Sequence, residues 1–596
     1  MMNTTVRRTT AIIGLLTMLS AGAAGCGASA DAEGAAFDDE APRGADAGNI
    51  GGGGTGGVAD TGSGESADTF VPEEEEFVVQ EVAATDNFVF VPNSDEESST
   101  VARIDGRDLS VVPVEVGLEP VAVRATDVPN VGSVAYVLTE GASAIGIIRA
   151  EKISKHKDPA EQVSLLSVPN EINALEMSPN GKYAIGYIDP DKPLPDGTGI
   201  ASLQVASVVK LGEKPADDVA YQLSVSRQIQ EIEFTDDGEQ AFIVGRDGVN
   251  RLDLSAVEGD AFVPPLGIDL SSSTFPAQDR EVEVSPSGDF LVVRSSDYAG
   301  VALYRPAPKG DEESAGELRR VPLPAAPTDI DLHVPQNEGA SVIASVRQAN
   351  SLARIDVDKV FDTTPQPQSG HAGSADAGPD AGSPPAYQPP EGVEMVDAAG
   401  ATPGLADLAP DQSKLLYYTG RETVPNLGVL NLGDNSTESY PLRNQIRSVA
   451  IAPNSKTAVV VHEKQEGPPP SSAGPLKFFQ HNHGLTIFDF ETGYRRPVTL
   501  QGDPASIVMT QGAENTPLVY AMLRSPDDAK RGVMRIDLTS YRSDFLDLPR
   551  PPKQLGRVAG KIFVSQEATD GRITFIDVDS GEQQTVSGYE LNAGID

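Results

Sequence analysis

The sequence predicts an all-β fold, a β-propeller of about eight to ten blades, each a four-stranded antiparallel sheet. Three observations predict it. A strand–turn–strand unit recurs along the chain from Asp86 onward. A further apolar strand ending in Asp follows it at a similar offset. The repeat falls every ~40 to 60 residues, the period of blades rather than of solenoid coils.

The first half of the unit reads "ALEMSPNGKYAIGYI", "EIEFTDDGEQAFIVG", "EVEVSPSGDFLVVRS", "LADLAPDQSKLLYYT" and "SVAIAPNSKTAVVVH". Pro179, Pro286, Pro410 and Pro453 pre-set φ at the second turn position, and the Gly or Asn after it tolerates positive φ. Runs of Val, Ile, Phe and Tyr flank each turn, as in paired strands. The second half reads "VARID", "VNRLD", "LARID", "GVLNL", "LTIFD", "VMRID" and "ITFID", ending at Asp105, Asp253, Asp356, Leu432, Asp489, Asp537 and Asp577. Weaker copies lie near Asp127, Thr510 and Val558.

An "SPDG"-like first turn paired with a strand ending in Ile-Asp resembles the YVTN-type, lactonase-like propeller repeats. The resemblance spans residues 79–596 and implies a fold far more than a function. That family closes rings of seven blades, and the repeat number here is larger. One large ring is favoured over two tandem rings, because no linker divides the array near its midpoint. The low-complexity insertion at 363–392 ("TTPQPQSGHAGSADAGPDAGSPPAYQPPEG") is the one plausible break.

Ahead of the repeats, residues 1–25 read as an export signal: Arg7 and Arg8, an apolar run from Ala11 to Leu19, then small residues. The run is too short to span a bilayer. "AAGC" resembles the lipobox of bacterial lipoproteins, which implies cleavage before Cys26 and lipid on that residue. Cys26 is the single cysteine of the 596 residues. The resemblance, with Gly27 after Cys26, implies the cell envelope, and the outer membrane before the inner. Residues 26–78 are rich in Gly, Ala and acid and poor in large apolar side chains, so they predict a disordered tether.

The chain carries 88 Asp+Glu against 45 Lys+Arg, a net charge of -43. That disfavours nucleic acid and broad contact with anionic lipid, and it favours cations or basic partners. Aligned units place an acid at one position of the strand before the turn in five consecutive repeats: Glu176, Glu233, Glu283, Asp331 and Asp407. Glu231, Glu281 and Asp329 stand two residues earlier, on the same strand face. Arg124 and Ala450 bound the run. The alignment predicts a partial acidic ring at the channel, a candidate site for Ca²⁺ or another divalent cation. A simpler reading, favoured here, is a wet channel lined by solvated polar positions.

His462, His481 and His483 fall within one unit and are weaker metal candidates. The sequence holds no G-x-S-x-G elbow, phosphate-binding Gly loop or H-E-x-x-H helix. The expected function is therefore a lipid-anchored, non-catalytic binding or scaffold module. Its expected partners are the membrane through the lipid and an unidentified protein or small cationic ligand. The alternative implied by the resemblance is a lactonase-like hydrolase with an acidic, metal-assisted channel.

Overall fold

The computed structural model describes residues 83–589 apart from 94–97, 154–161, 196–202, 267–279, 309–315, 337, 364–386, 422–424, 468–473, 525–530 and 569–570. Cys26 and the predicted signal and tether lie outside the described residues, as do most of the insertion and the whole chain before Ala83.

Ten antiparallel sheets follow one another along the chain. We number them as blades 1 (83–115), 2 (120–167), 3 (174–224), 4 (229–266), 5 (280–322), 6 (329–397), 7 (405–441), 8 (446–499), 9 (503–547) and 10 (552–587). In each, the first strand is innermost and the fourth outermost. Blades 2 and 5–10 are regular four-stranded sheets. In blade 1 the innermost strand is reduced to a bridge from Ala84 to Val89. In blade 4 the segment Ala261–Phe262 instead pairs in parallel with the outer strand of blade 3. It rejoins its own blade through a bridge from Pro265 to Asn250.

The sequence forms these strands because each layer meets a different environment. Second and third strands are sandwiched between neighbouring blades and are apolar throughout. Ser341–Val346 and Ala144–Arg149 are buried at every residue. Outer strands such as Gln583–Ser587 face water and are polar. The positive φ that the first turn needs is taken by Gly181, Gly238 and Gly288 in blades 3 to 5. In blades 7 and 8 it falls on Gln412 and Ser455. Their side chains offset the strain by accepting from Val334 N–H and Asp411 N–H of the preceding blade, at 2.9 and 3.0 Å.

The described core divides into ten apolar clusters, each shared by two consecutive blades. The last of them joins blade 10 to blade 1: Phe563, Ile573 and Phe575 pack on Val89, Ala102 and Ile104. Ala559 N–H donates to Asp86 O and Lys561 Nζ to Gly106 O (2.7 Å) across the same seam. The protein is thus one closed ten-bladed ring. The insertion does not divide it: it leaves blade 6 after the helix α1 (Val357–Asp362), and the chain re-enters the same blade at Val393–Asp397. Among the described residues, ring closure uses packing and polar contacts between blades 10 and 1.

Two faces result. The turns joining first to second and third to fourth strands lie on one, the turn face. The connections from second to third strand and from blade to blade lie on the other, the linker face. A second helix, α2 (Pro475–Gln480), sits in the second-to-third connection of blade 8. Among the described residues no helix is long and apolar enough to cross a membrane.

Candidate functional site at the inner edge of blades 3 to 7

All five aligned acids lie on innermost strands, in blades 3, 4, 5, 6 and 7. Blade sheets stand face to face around the axis, so side chains of the innermost strand point toward neighbouring blades. Only the strand edge faces the channel. The expectation of solvated channel-lining groups therefore needs correction. Asp331 is 8% exposed, and Glu231, Glu281 and Asp329 are between 7% and 9%. Glu176, Glu233, Glu283 and Asp407 are half-buried.

The earlier acid of each pair has a structural task that the alignment alone did not reveal. An innermost strand has one edge with no strand beside it, and its N–H groups need acceptors. Glu281 of blade 5 accepts from the Ile330 N–H of blade 6, and Asp329 of blade 6 accepts from the Ala406 N–H of blade 7. Each acid thus ties its blade to the next. Glu281 is also paired with Arg294, its cross-strand neighbour on the second strand.

Neutralisation of the remaining charge is unequal around the arc. Glu176 pairs with Arg124 of blade 2 at 3.0 Å. Glu231 hydrogen-bonds the Glu233 carboxyl, and Glu281 hydrogen-bonds that of Asp329. Two carboxyls can bond only if one holds a proton. Burial, then the Glu233, Glu283 and Glu281 charges, push Glu231 well above the usual carboxyl range. Burial, then Asp329, Asp407, Glu283 and Glu281, do the same to Asp331. Burial also raises Glu281, with the Arg294 guanidinium opposing it. Asp331 Oδ2 is buried and has no hydrogen-bond partner. Among the described residues no three His, Asp or Glu side chains stand where they could share one metal ion.

The three histidines of blade 8 do not form a metal centre. His462 is buried, with Nδ1 3.0 Å from Asn444 O and Nε2 2.7 Å from Thr486 Oγ1. The carbonyl can only accept, so Nδ1 carries the proton and Nε2 accepts from the hydroxyl. Both ring nitrogens are used. Phe479 of α2 packs edge-on against the ring at 5.4 Å, and burial pushes its pKa down to about 4. His481 Nδ1 meets Gly467 O at 3.2 Å, and His483 Nδ1 lies 3.6 Å from Asp503 of blade 9.

One polar centre escaped the sequence reading. Arg149, at the end of the third strand of blade 2, and Asp218, leading into the outer strand of blade 3, form a bidentate pair at 2.7 and 2.9 Å. Both side chains are fully buried. Asp218 also accepts from Ser164 Oγ and from Gly212 N–H, and Arg149 donates to Gly212 O. Arg149 stands where other blades carry the Asp that ends the third strand, but its partner Asp218 lies 69 residues away in a connection outside the aligned units, so aligning them did not expose the pair.

No family model matches the chain, and no curated protein matches it. Solved structures do. Dihydro-heme d1 dehydrogenase NirN matches over 72% of this chain and 79% of its own, with 12% identity and a TM-score of 0.36. AztD from Citrobacter koseri matches over 69% and 94%, with 13% identity and a TM-score of 0.32. The Dos1 propeller matches over 70% and 92%, with 10% identity and a TM-score of 0.36. Likeness at this level carries no argument about activity. The class of the protein, a ten-bladed propeller, rests on its own sheets and closed core.

Proposed function

We propose that this chain is a non-catalytic binding or scaffold propeller of a bacterial cell envelope, held to the outer membrane by lipid on Cys26. One observation carries the non-catalytic reading. Several buried side chains that could do chemistry are instead tied into the frame: His462 by Asn444 and Thr486 within blade 8, Asp218 by Arg149 across blades 2 and 3, and Glu281 and Asp329 by backbone N–H groups of the next blade. The lipobox-like "AAGC" supports the anchor. The repeats similar to the YVTN type support a rigid display platform, since propellers of that architecture serve many functions from one frame.

Replacing Cys26 by Ser tests the anchor: the protein should move from the membrane to the soluble fraction, and persistent membrane integration would contradict it. Metal analysis of the purified protein tests the non-catalytic reading against a metal-assisted hydrolase. We expect no stoichiometric divalent ion and no change in Tm with EDTA. A tightly held ion together with lactone hydrolysis lost on Asp331→Asn would overturn it.

A further inference from the structure

The large apolar side chains left exposed are not spread evenly. Leu118 lies in the connection from blade 1 to blade 2, and Leu476 and Phe478 lie on α2. All three are on the linker face. Leu165 and Phe262 lie on the outer rim, Phe262 beside Ser224 where the outer strand of blade 3 ends toward that face. The sixth, Tyr494, is on the turn face and packs against Tyr541 at 5.1 Å.

Charge is divided in the same sense. The turn face carries exposed Asp236, Asp237, Asp289, Asp411, Asp434 and Glu491, because its turns use Asp to accept local N–H groups. On the linker face around α2, the exposed cations are Arg443, Lys464, Lys477, Arg524, Arg550 and Lys553. Arg443 adjoins α2 through Gln480, and Arg524 reaches Lys553 O at 3.5 Å, so they form one sector over blades 8 to 10. Among the described residues, exposed Glu463, Glu466, Asp547 and Glu567 share that sector and are fewer than these cations. The net charge of -43 is thus not mirrored by the described residues of this sector.

The direction of the chain adds a third observation. Ala84 runs antiparallel to Val89, in the sense of an innermost strand, away from the linker face and toward the turn at Asp86. The described polypeptide thus enters the ring from the linker side.

We propose that the linker face at blades 8 to 10 docks on a phospholipid bilayer bearing anionic headgroups. Leu476 and Phe478 enter the interface, and the surrounding Lys and Arg meet phosphates. An exposed apolar pair on a sector where the exposed Lys and Arg among the described residues exceed the exposed acids is suited to interfacial binding. For its orientation this inference rests on the anchor at Cys26; for the surface itself it does not.

Thiol labelling separates the two. In the unsubstituted full-length chain, failure of a thiol dye to react means that Cys26 is blocked. Reaction would sink the anchor reading alone, and the docking test then continues on Cys26→Ser. A polarity-sensitive dye is placed at Phe478→Cys on the linker face or at Ser580→Cys on the turn face. With phosphatidylglycerol-containing vesicles, lipid-borne nitroxide should quench the first several-fold more than the second. The double substitution L476D/F478D in the Cys26→Ser chain should weaken vesicle binding by about tenfold or more. Equal quenching at both sites, unchanged binding of the double variant, or equal binding to pure phosphatidylcholine would each overturn the proposal.

Discussion

Two regions bury acidic side chains between neighbouring blades, and they neutralise them by different means. Between blades 2 and 3, Asp218 meets a guanidinium in bidentate geometry and two further donors. Between blades 4 and 7, Glu281 meets Arg294, Glu281 and Asp329 accept backbone N–H groups of the next blade, and the Glu231–Glu233 and Glu281–Asp329 pairs each share a proton. The first arrangement sets one buried carboxylate against one guanidinium. The second is sensitive to pH, because each shared proton can leave. Burial of like charges therefore does not by itself indicate a ligand; what matters is which positive species is already present.

The largest effect should come from breaking the ion pair. Asp218→Ala leaves the Arg149 charge buried without its partner and should cost about 3–5 kcal/mol, read as a lowered denaturation midpoint. An Arg149→Met, Asp218→Leu double variant should recover most of that loss. A double variant as unstable as the single would show that the pair contributes more than mutual neutralisation.

His462 offers an intermediate effect with the opposite pH sense to the arc. Its folded pKa of about 4 lies below the unfolded value, so the stability it contributes is present above the unfolded value of about 6.5. That stability is lost as pH falls through the folded one, for a total of about 3 kcal/mol. Imidazole titration by NMR should show this ring neutral at pH 6; a ring half-protonated there contradicts the buried, two-bond geometry.

The arc should shift stability the other way. The folded chain holds the protons of Glu231, Glu281 and Asp331 more tightly than the unfolded chain does. Their contribution is full below the unfolded carboxyl range of about 4 and falls as pH rises through the raised folded values. Asp331→Asn should flatten that fall and, at pH 8, exceed the natural chain by on the order of 1 kcal/mol. Thermal melts of both chains from acidic to mildly alkaline pH measure it; parallel curves would refute it. The smallest effect belongs to Arg124→Ala. Its partner Glu176 is more than one-third exposed, and a screened pair of this kind is worth about 0.5 kcal/mol.

The fold was largely legible because its signals are local and repeated. The Ser-Pro-Asn-Gly turn at 178–181 and the Asp ending the third strand of six blades mark the repeat, and the weaker copies near Asp127, Thr510 and Val558 fall on the innermost strands of blades 2, 9 and 10. Aligning the units also brought the acids together. It misjudged their surroundings, because strand alternation tells which residues share a face but not what packs on that face. Asp331 looks like a solvated position in sequence, yet it is buried and feels the Asp407 charge of blade 7. Arg149 and Asp218 stayed hidden because their contact spans 69 residues and occurs in one blade pair only.

Infrared spectroscopy tests the central claim most directly, that the arc is held by shared protons. At pH 7 the natural chain should show the carbonyl stretch of protonated carboxyl groups, shifted in deuterium oxide and reduced to the share of the Glu281–Asp329 pair in a Glu231→Gln, Asp331→Asn variant. Absence of that band, with Ca²⁺ binding that raises Tm and disappears in the same variant, would contradict the claim and make the arc a cation site.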